Sequence, residues 1–369
     1  MKHDLMNNKL FLLAFLLVLI LLSACESGEK KTTEATVAPD SVVVEPDTLD
    51  VYPRRKKFEP VRPLSQFPDT EFLLTPEDSI PQHKNAIYAA SMLFAWDEVR
   101  KIVNQPFQIS DKYPRLKSFH ASRSYLNVLE PDEYRVTATV MGDQIRTRAE
   151  FALSLPFVSP LTNFTSDPLL FQNESVQSFG EFGIEHGLEN VIHILYYKND
   201  NDFIVKLQPA DKSHEIILFT SEASHNTVQE IQSTISKKIR KGTQERKSPK
   251  TEWKYSMKNE DELIIPKLNF NIEHHFSTLE GNTFSAGGQT FQIFEAVERI
   301  GFIIDGEGAG IESIGDFSLS ASAGEYEEIP HPKKMHFDEP YFIMLRRINN
   351  PNPYFCAWIA NSELMMPTK

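Results

Sequence analysis

Apolar and polar residues alternate along much of this chain. In "ELIIPKLNFNIE" the residues Leu268, Phe270 and Ile272 interleave with Lys267, Asn269 and Asn271, the period of a half-buried strand. Residues 151–157, 191–197, 202–207, 215–219, 291–304, 341–346 and 354–359 read as further strands. Two stretches have a helical period instead. In "TVQEIQSTISKKIRKG" Val228, Ile231, Ile235 and Ile239 recur at three and four, basic residues crowd the last turn, and Gly242 is expected to end the helix. Residues 84–103 predict a second helix, whose first half (Ile87, Tyr88, Ala89, Ala90, Met92, Leu93, Phe94) is apolar enough to be buried on most sides. The sum is an α+β fold dominated by sheet, beginning near Ser65 and running without repeat or low-complexity break.

The N-terminus is different in kind. Lys2, His3 and Lys9 precede an apolar run over 10–22, and Ser23-Ala24-Cys25 follows. The run is short for a bilayer span, which takes about 20 apolar residues, and suits a signal peptide. Leu22-Ser23-Ala24-Cys25 looks like a bacterial lipobox, so residues 1–24 are expected to be removed and Cys25 to become a diacylated, palmitate-type anchor. Two or more acyl chains give stable attachment without crossing the membrane. Residues 25–64, rich in Thr, Pro and charge, read as the acylated Cys and a flexible tether, and residues 65–369 as the folded domain. Glu26 is not the Asp linked to inner-membrane retention, which favours the outer membrane of a cell envelope. Within the tether, Arg54-Arg55-Lys56-Lys57 reads as a solvated charge run, with attraction to anionic headgroups as the sharper alternative.

Charge and cysteine narrow the function. A formal net charge of −13 argues against a nucleic-acid partner. Once Cys25 is acylated only Cys356 remains, so no intramolecular disulfide forms, and its place in an apolar strand makes it a small core residue. Glu273-His274-His275 is the one local cluster of metal-type ligands, but adjacent strand residues point to opposite faces. No nucleophile-elbow pattern occurs. No cofactor, no metal and no enzymatic activity are expected.

"FIIDGEGAGIESIG" puts four glycines into residues 302–315. A dinucleotide fingerprint needs G-x-G-x-x-G between strand and helix. Here the glycines are Gly306, Gly308 and Gly310, Ile311 stands where the third belongs, and Asp305, Glu307 and Glu312 would repel phosphate. After the glycines Ala309, Ile311, Ser313, Gly315, Phe317 and Leu319 alternate with Gly310, Glu312, Ile314, Asp316, Ser318 and Ser320. The stretch is a pivot after a strand, followed by a segment able to pair into a sheet.

That order (strand, Glu-Gly pivot, alternating segment, long connection, two final strands) resembles the C-terminal end of serpins. Ile304-Asp305-Gly306-Glu307-Gly308-Ala309-Gly310 occupies the place of the serpin hinge. "MHFDEPYFIMLRR" is similar to the serpin signature at Met335, Phe337, Asp338, Pro340, Phe342 and Ile343, departing at Glu339 and Tyr341. "YFCAWIANSEL" is similar to the closing strand, with Asn361 retained, and "RAEFALSLPFVSPL", "VIHILYYKNDNDFIVKLQP" and "IIPKLNFNIEHHF" fall in family order upstream. The resemblance covers residues 149–364 and thins out before that, where 84–151 is shorter than a serpin's N-terminal half.

The resemblance implies a protein that acts as bait: a serine protease is acylated on the loop, and the freed loop half inserts into the central sheet. It makes Glu307, Gly308, Ala309, Gly310 and Ile311 the hinge and places the scissile bond near Ala321, Ser322 and Ala323. Small residues there imply an elastase- or subtilisin-like target; no Lys or Arg lies between Gly308 and Lys333, so a trypsin-like one is not expected. Gly310 and Ile311 depart from inhibitory hinges, which carry Glu and a small residue there, and overpacking by one side chain costs about 1–3 kcal/mol. A serpin-shaped binding lipoprotein of the cell envelope that inhibits nothing is the alternative.

Overall fold

The structure is a computed structural model. It describes residues 58–131, 133–151, 154–183, 188–310 and 332–368, all within the unit Tyr52–Lys369. Cys25, the basic cluster 54–57, Ile311, and Ala321, Ser322 and Ala323 lie outside the described residues.

In chain order come β1 (Arg62–Pro63), β2 (Thr70–Leu73), β3 (Asn85–Ala89), α1 (Ser91–Val103), β4 (Phe107–Ile109) and α2 (Pro114–Ala121). Next are β5 (Tyr134–Met141), β6 (Gln144–Phe151), β7 (Leu155–Pro156), β8 (Thr162–Phe171) and β9 (Glu174–Phe182). Then follow β10 (Ile192–Asn199), β11 (Asp202–Leu207), β12 (His214–Thr220) and α3 (Val228–Glu245). The chain continues through β13 (Glu262–Pro266), β14 (Leu268–His275), β15 (Thr283–Ala286), β16 (Gln289–Asp305) and β17 (Gly308–Ala309). It closes with β18 (Lys334–His336), β19 (Tyr341–Arg347) and β20 (Phe355–Ile359). The fold is α+β with three mixed sheets and few helices, as the alternation predicts.

The first sheet is organised on the long β16. The β14 strand runs antiparallel to it, from Leu268 opposite Ile304 to His275 opposite Val297. On β16 the β6 strand lies parallel, from Gln144 opposite Gln292 to the Phe151 backbone opposite Ile300. Beyond β6 comes β5, joined to it by the tight turn at Gly142-Asp143 and paired with no other strand among the described residues. The second sheet has the order β10-β11-β12-β19-β20-β3-β2, and the third β18-β13-β9-β8. Phe302 of β16 stacks on Phe355 of β20 at 4.5 Å, so the inner faces of the first two sheets share one core.

The sequence reading fails in instructive places. Residues 84–103 are not one helix: Asn85–Ala89 is a strand between β2 and β20, and the helix starts at Ser91. An apolar run buried on both faces satisfies either state, and here the backbone groups are taken by two neighbouring strands. The Asn85 side chain fixes the entry, accepting from Ala360 N–H at 2.8 Å and donating to Asn361 Oδ1 at 2.7 Å. Gly242 does not end α3, which continues to Glu245. It serves close packing instead: a Cβ there would lie 2.1 Å from the Leu195 carbonyl oxygen of β10. The strand expected over 151–157 is split, β6 ending at Phe151 and β7 being Leu155–Pro156. The strands β5, β8 and β9 went unread. Where the reading succeeds, Thr227 caps α3 by accepting the Glu230 N–H at 3.1 Å, and Glu230 reaches back to the Asn226 N–H at 2.8 Å.

Candidate functional site

The glycine stretch is a hairpin. After Asp305 the chain turns at Gly306-Glu307, the Glu307 N–H is accepted by Asp305 Oδ1 at 2.9 Å, and β17 returns along β16 with Gly308 opposite Asp305 and Ala309 opposite Ile304. On its other side β17 pairs with β7, Gly308 opposite Pro156 and Ala309 opposite Leu155. The stretch expected to be a hinge thus contains a two-residue strand, β17, lodged between β16 and β7, in line with the seam where β6 meets β16.

Backbone hydrogen bonds hold it. Gly310 N–H donates to Ile303 at 2.6 Å, Phe157 N–H to Glu307 at 2.9 Å and Leu161 N–H to Gly306 at 2.6 Å. The glycines are needed because the neighbouring backbones leave no space. A Cβ on Gly306 would lie 2.3 Å from the Leu161 oxygen, and one on Gly308 2.4 Å from the Leu155 oxygen. Gly308 and Gly310 have φ of 135° and 84°, which favour glycine. Ala309 is 1% exposed and shares its row with buried Ile304 and Leu155, so its own side chain faces the core. Of the predicted hinge residues, Glu307, Gly308, Ala309 and Gly310 come together here; Ile311 is outside the described residues.

Beneath the seam lies a residue the sequence reading missed. Glu298 of β16, 0% exposed, stands opposite Ala149 of β6 and His274 of β14 and reaches the N-terminus of α1. Its Oε1 accepts from Ser91 Oγ at 2.6 Å and the carboxyl takes the Met92 N–H, while Oε2 has no partner. Burial pushes its pKa from 4.5 up to about 8, against the opposing pull of those two donors. The helix N-terminus favours an anion by at most about 2 kcal/mol, and desolvation wins. Period-two counting would have found it, since Glu298 falls in phase with the inward Ile300, Phe302 and Ile304.

At the other end of residues 311–331 the chain re-enters at Lys333. This lysine is 0% exposed and ion-paired to Asp261, also 0% exposed. Asp261 also accepts the Lys333 N–H at 2.7 Å and the Lys258 N–H at 2.8 Å, and the ammonium lies 5.5 Å from the Trp253 ring centre. Burial lowers the lysine's pKa, with Asp261 opposing. No local sequence signal links positions so far apart.

The remaining candidates are placed as follows. His274 points inward between Phe72 and Phe276, and His275 outward toward Glu280 at 3.3 Å, the opposite faces that strand geometry requires. Among the described residues no group of three His, Cys, Asp or Glu side chains converges. Cys356 is buried in β20, and burial raises its thiol pKa well above normal.

No protein-family model matches the chain, and no curated protein does. Solved structures of serpins are similar to it in fold. Thyroxine-binding globulin in complex with thyroxine gives a TM-score of 0.38 at 10% identity, over 61% of this chain and 57% of that one. Native protease nexin-1 with heparin gives 0.37 at 12% over 75% and 69%, and a serpin from the trematode Schistosoma haematobium 0.38 at 13% over 59% and 56%. The chain thus spans less than two thirds of the first and third of these proteins.

Proposed function

We propose that this protein is a serpin-like bait, tethered to a membrane of the cell envelope through acylated Cys25, for a serine protease of the elastase or subtilisin type. Cleavage near Ala321, Ser322 and Ala323 leaves the protease esterified to the Gly308 side of the break, and that side then extends β17 between β6 and β16. The observation that carries this reading is the lodged hinge: β17 already occupies the first two positions of such a strand, with Ala309 in the core-facing row. The seam ahead of it supports the reading too. Among the described residues the β5–β6 hairpin borders the rest of its sheet only along β16, so one parallel ladder must part, and an inserted strand would re-form its hydrogen bonds on both sides. Release of strain drives such rearrangements. The protein has no catalytic step of its own in this account; the protease performs the chemistry.

One observation favours the second reading, a binding lipoprotein that does not insert. Gly308 and Gly310 hold positive φ, so extending β17 as a regular strand requires both to reset. The decisive experiment incubates the full chain, with Cys25→Ser to prevent acylation, with elastase and with subtilisin. An SDS-stable complex and a raised Tm after loop cleavage are expected. Clean cleavage with full recovery of protease, and no rise in Tm, would leave the binding lipoprotein standing. Incorporation of labelled palmitate, abolished by Cys25→Ser, tests the anchor separately.

A further inference from the structure

Just beyond the end of α3, Arg246, the start of β10, Leu188 and the segment 255–257 line a half-open hollow of about 230 Å³. Its walls are mainly apolar, formed by Leu188, Ile192, Met257 and the Tyr255 ring, with polar groups from Arg246, His193, Glu189 and Ser256. The volume exceeds the ~150 Å³ of an engineered apolar cavity that takes up benzene. An apolar hollow with few convergent polar groups is the usual form of a small-molecule site.

Arg246 gives the hollow its chemical preference. The exposed Arg246 is held beside the hollow by one guanidinium nitrogen donating to the Ile194 carbonyl at 2.7 Å and by the Tyr255 ring, 5.2 Å from the guanidinium to its centre. Its sequence neighbour Glu245 is turned away, accepting from Tyr255 Oη at 2.6 Å and pairing with Lys241 at 3.5 Å. Among the described residues no carboxylate lies within ion-pair distance of Arg246, although a guanidinium carries five donors arranged to match one. The half-buried His193 ring is kept neutral by burial and by the charges of Lys206 and Arg246, and bonds to the Asn190 backbone. Glu189, on the rim, is exposed and already engaged. A cationic fork over an apolar hollow disfavours amines and leaves donors unused with an alcohol.

We infer that this hollow is a binding site for small amphipathic monocarboxylates, with an apolar tail among Leu188, Ile192 and Met257 and the carboxylate on Arg246. The site involves neither the hinge nor the seam, so it stands or falls independently of the protease reading.

The test is calorimetric titration of the Cys25→Ser chain with octanoate, octan-1-ol and octylamine. Saturable 1:1 binding of octanoate is expected, at least tenfold tighter than octan-1-ol, with octylamine weakest; tenfold corresponds to about 1.4 kcal/mol. Arg246→Gln, which keeps the wall, should bring octanoate down to the level of the alcohol. Ile192→Trp should fill the hollow and abolish binding of both, with Met257→Trp as a second filler if the first lowers Tm. No saturable octanoate binding, equal binding of the three probes, or Arg246→Gln leaving octanoate unchanged would each overturn the assignment.

Discussion

The two ends that flank residues 311–331 are built on opposite principles. At the near end, β17 is held by backbone hydrogen bonds and by the absence of side chains at Gly306 and Gly308. At the far end, Lys333 and Asp261 form an ion pair sealed from solvent, and β18 continues from it in parallel register with β13. A backbone-only attachment can be re-formed one pair further along, because each peptide unit offers the same groups. A buried ion pair cannot be shifted by one residue, since the displaced charge would lose its opposite charge. The near end is therefore suited to movement and the far end to staying in place. The proposed bait, if severed between them, would use that asymmetry.

The largest effect should come from breaking the anchor. Lys333→Ala leaves the Asp261 carboxylate buried without its cation and is expected to cost about 4 kcal/mol in urea unfolding. The double change Asp261→Asn with Lys333→Met removes both charges at similar volume and should recover more than half of that loss. If the double variant is no better than the single one, packing rather than charge holds the far end.

Glu298 sharpens the comparison at the seam. With its pKa raised from 4.5 to about 8, the folded protein holds a proton the unfolded chain has released. Its contribution is therefore intact below pH 4.5 and is lost as pH rises toward 8. Taken over that whole interval, about 3.5 pH units at ~1.4 kcal/mol each, the loss is at most about 5 kcal/mol. Glu298→Gln should match wild type at pH 4 and exceed it at pH 8.5 in urea midpoint. Parallel pH profiles for the two proteins would remove Glu298 from the energetics of the seam.

How much of this was legible in sequence follows from where the information resides. Strands β14 and β16 are readable because apolar residues recur at period two over part of each, and β19 and β20 because they are short apolar runs bounded by Pro, Asn and Arg. The glycine turn after β16 is readable because its glycines break that period next to an alternating run. The β3 strand was misread because residues buried on both faces have no period to show. The Lys333–Asp261 pair was invisible for another reason: it depends on β13 and β18 lying side by side, which no local pattern encodes.

A smaller effect separates steric crowding from backbone strain at the hinge. Gly308→Ala and Gly281→Ala both place a Cβ at positive φ, but Gly281 faces open space, whereas Gly308 meets the Leu155 oxygen and the Pro156 Cα at 2.4 and 2.6 Å. Gly281→Ala should cost about 1 kcal/mol, the strain alone. Gly308→Ala should cost about 2 kcal/mol and speed amide exchange at Gly310 and Phe157, whose bonds hold β17 in place. Equal costs, with exchange unchanged, would mean the hinge is not wedged as tightly as its neighbours imply.

The smallest effect tests how far the anchor extends. His336 of β18 bonds to Glu262 of β13 at 2.7 Å, but both side chains are about a quarter exposed (24% and 27%). Water competes for such a pair, which limits it to below about 1 kcal/mol. Gln at this position can still donate to Glu262, and the backbone register of β13 with β18 is untouched. His336→Gln is expected to shift the urea midpoint by less than a quarter of the Lys333→Ala shift. A comparable shift would spread the anchor over the whole strand, and the contrast with β17, held chiefly by backbone hydrogen bonds, would lose its physical basis.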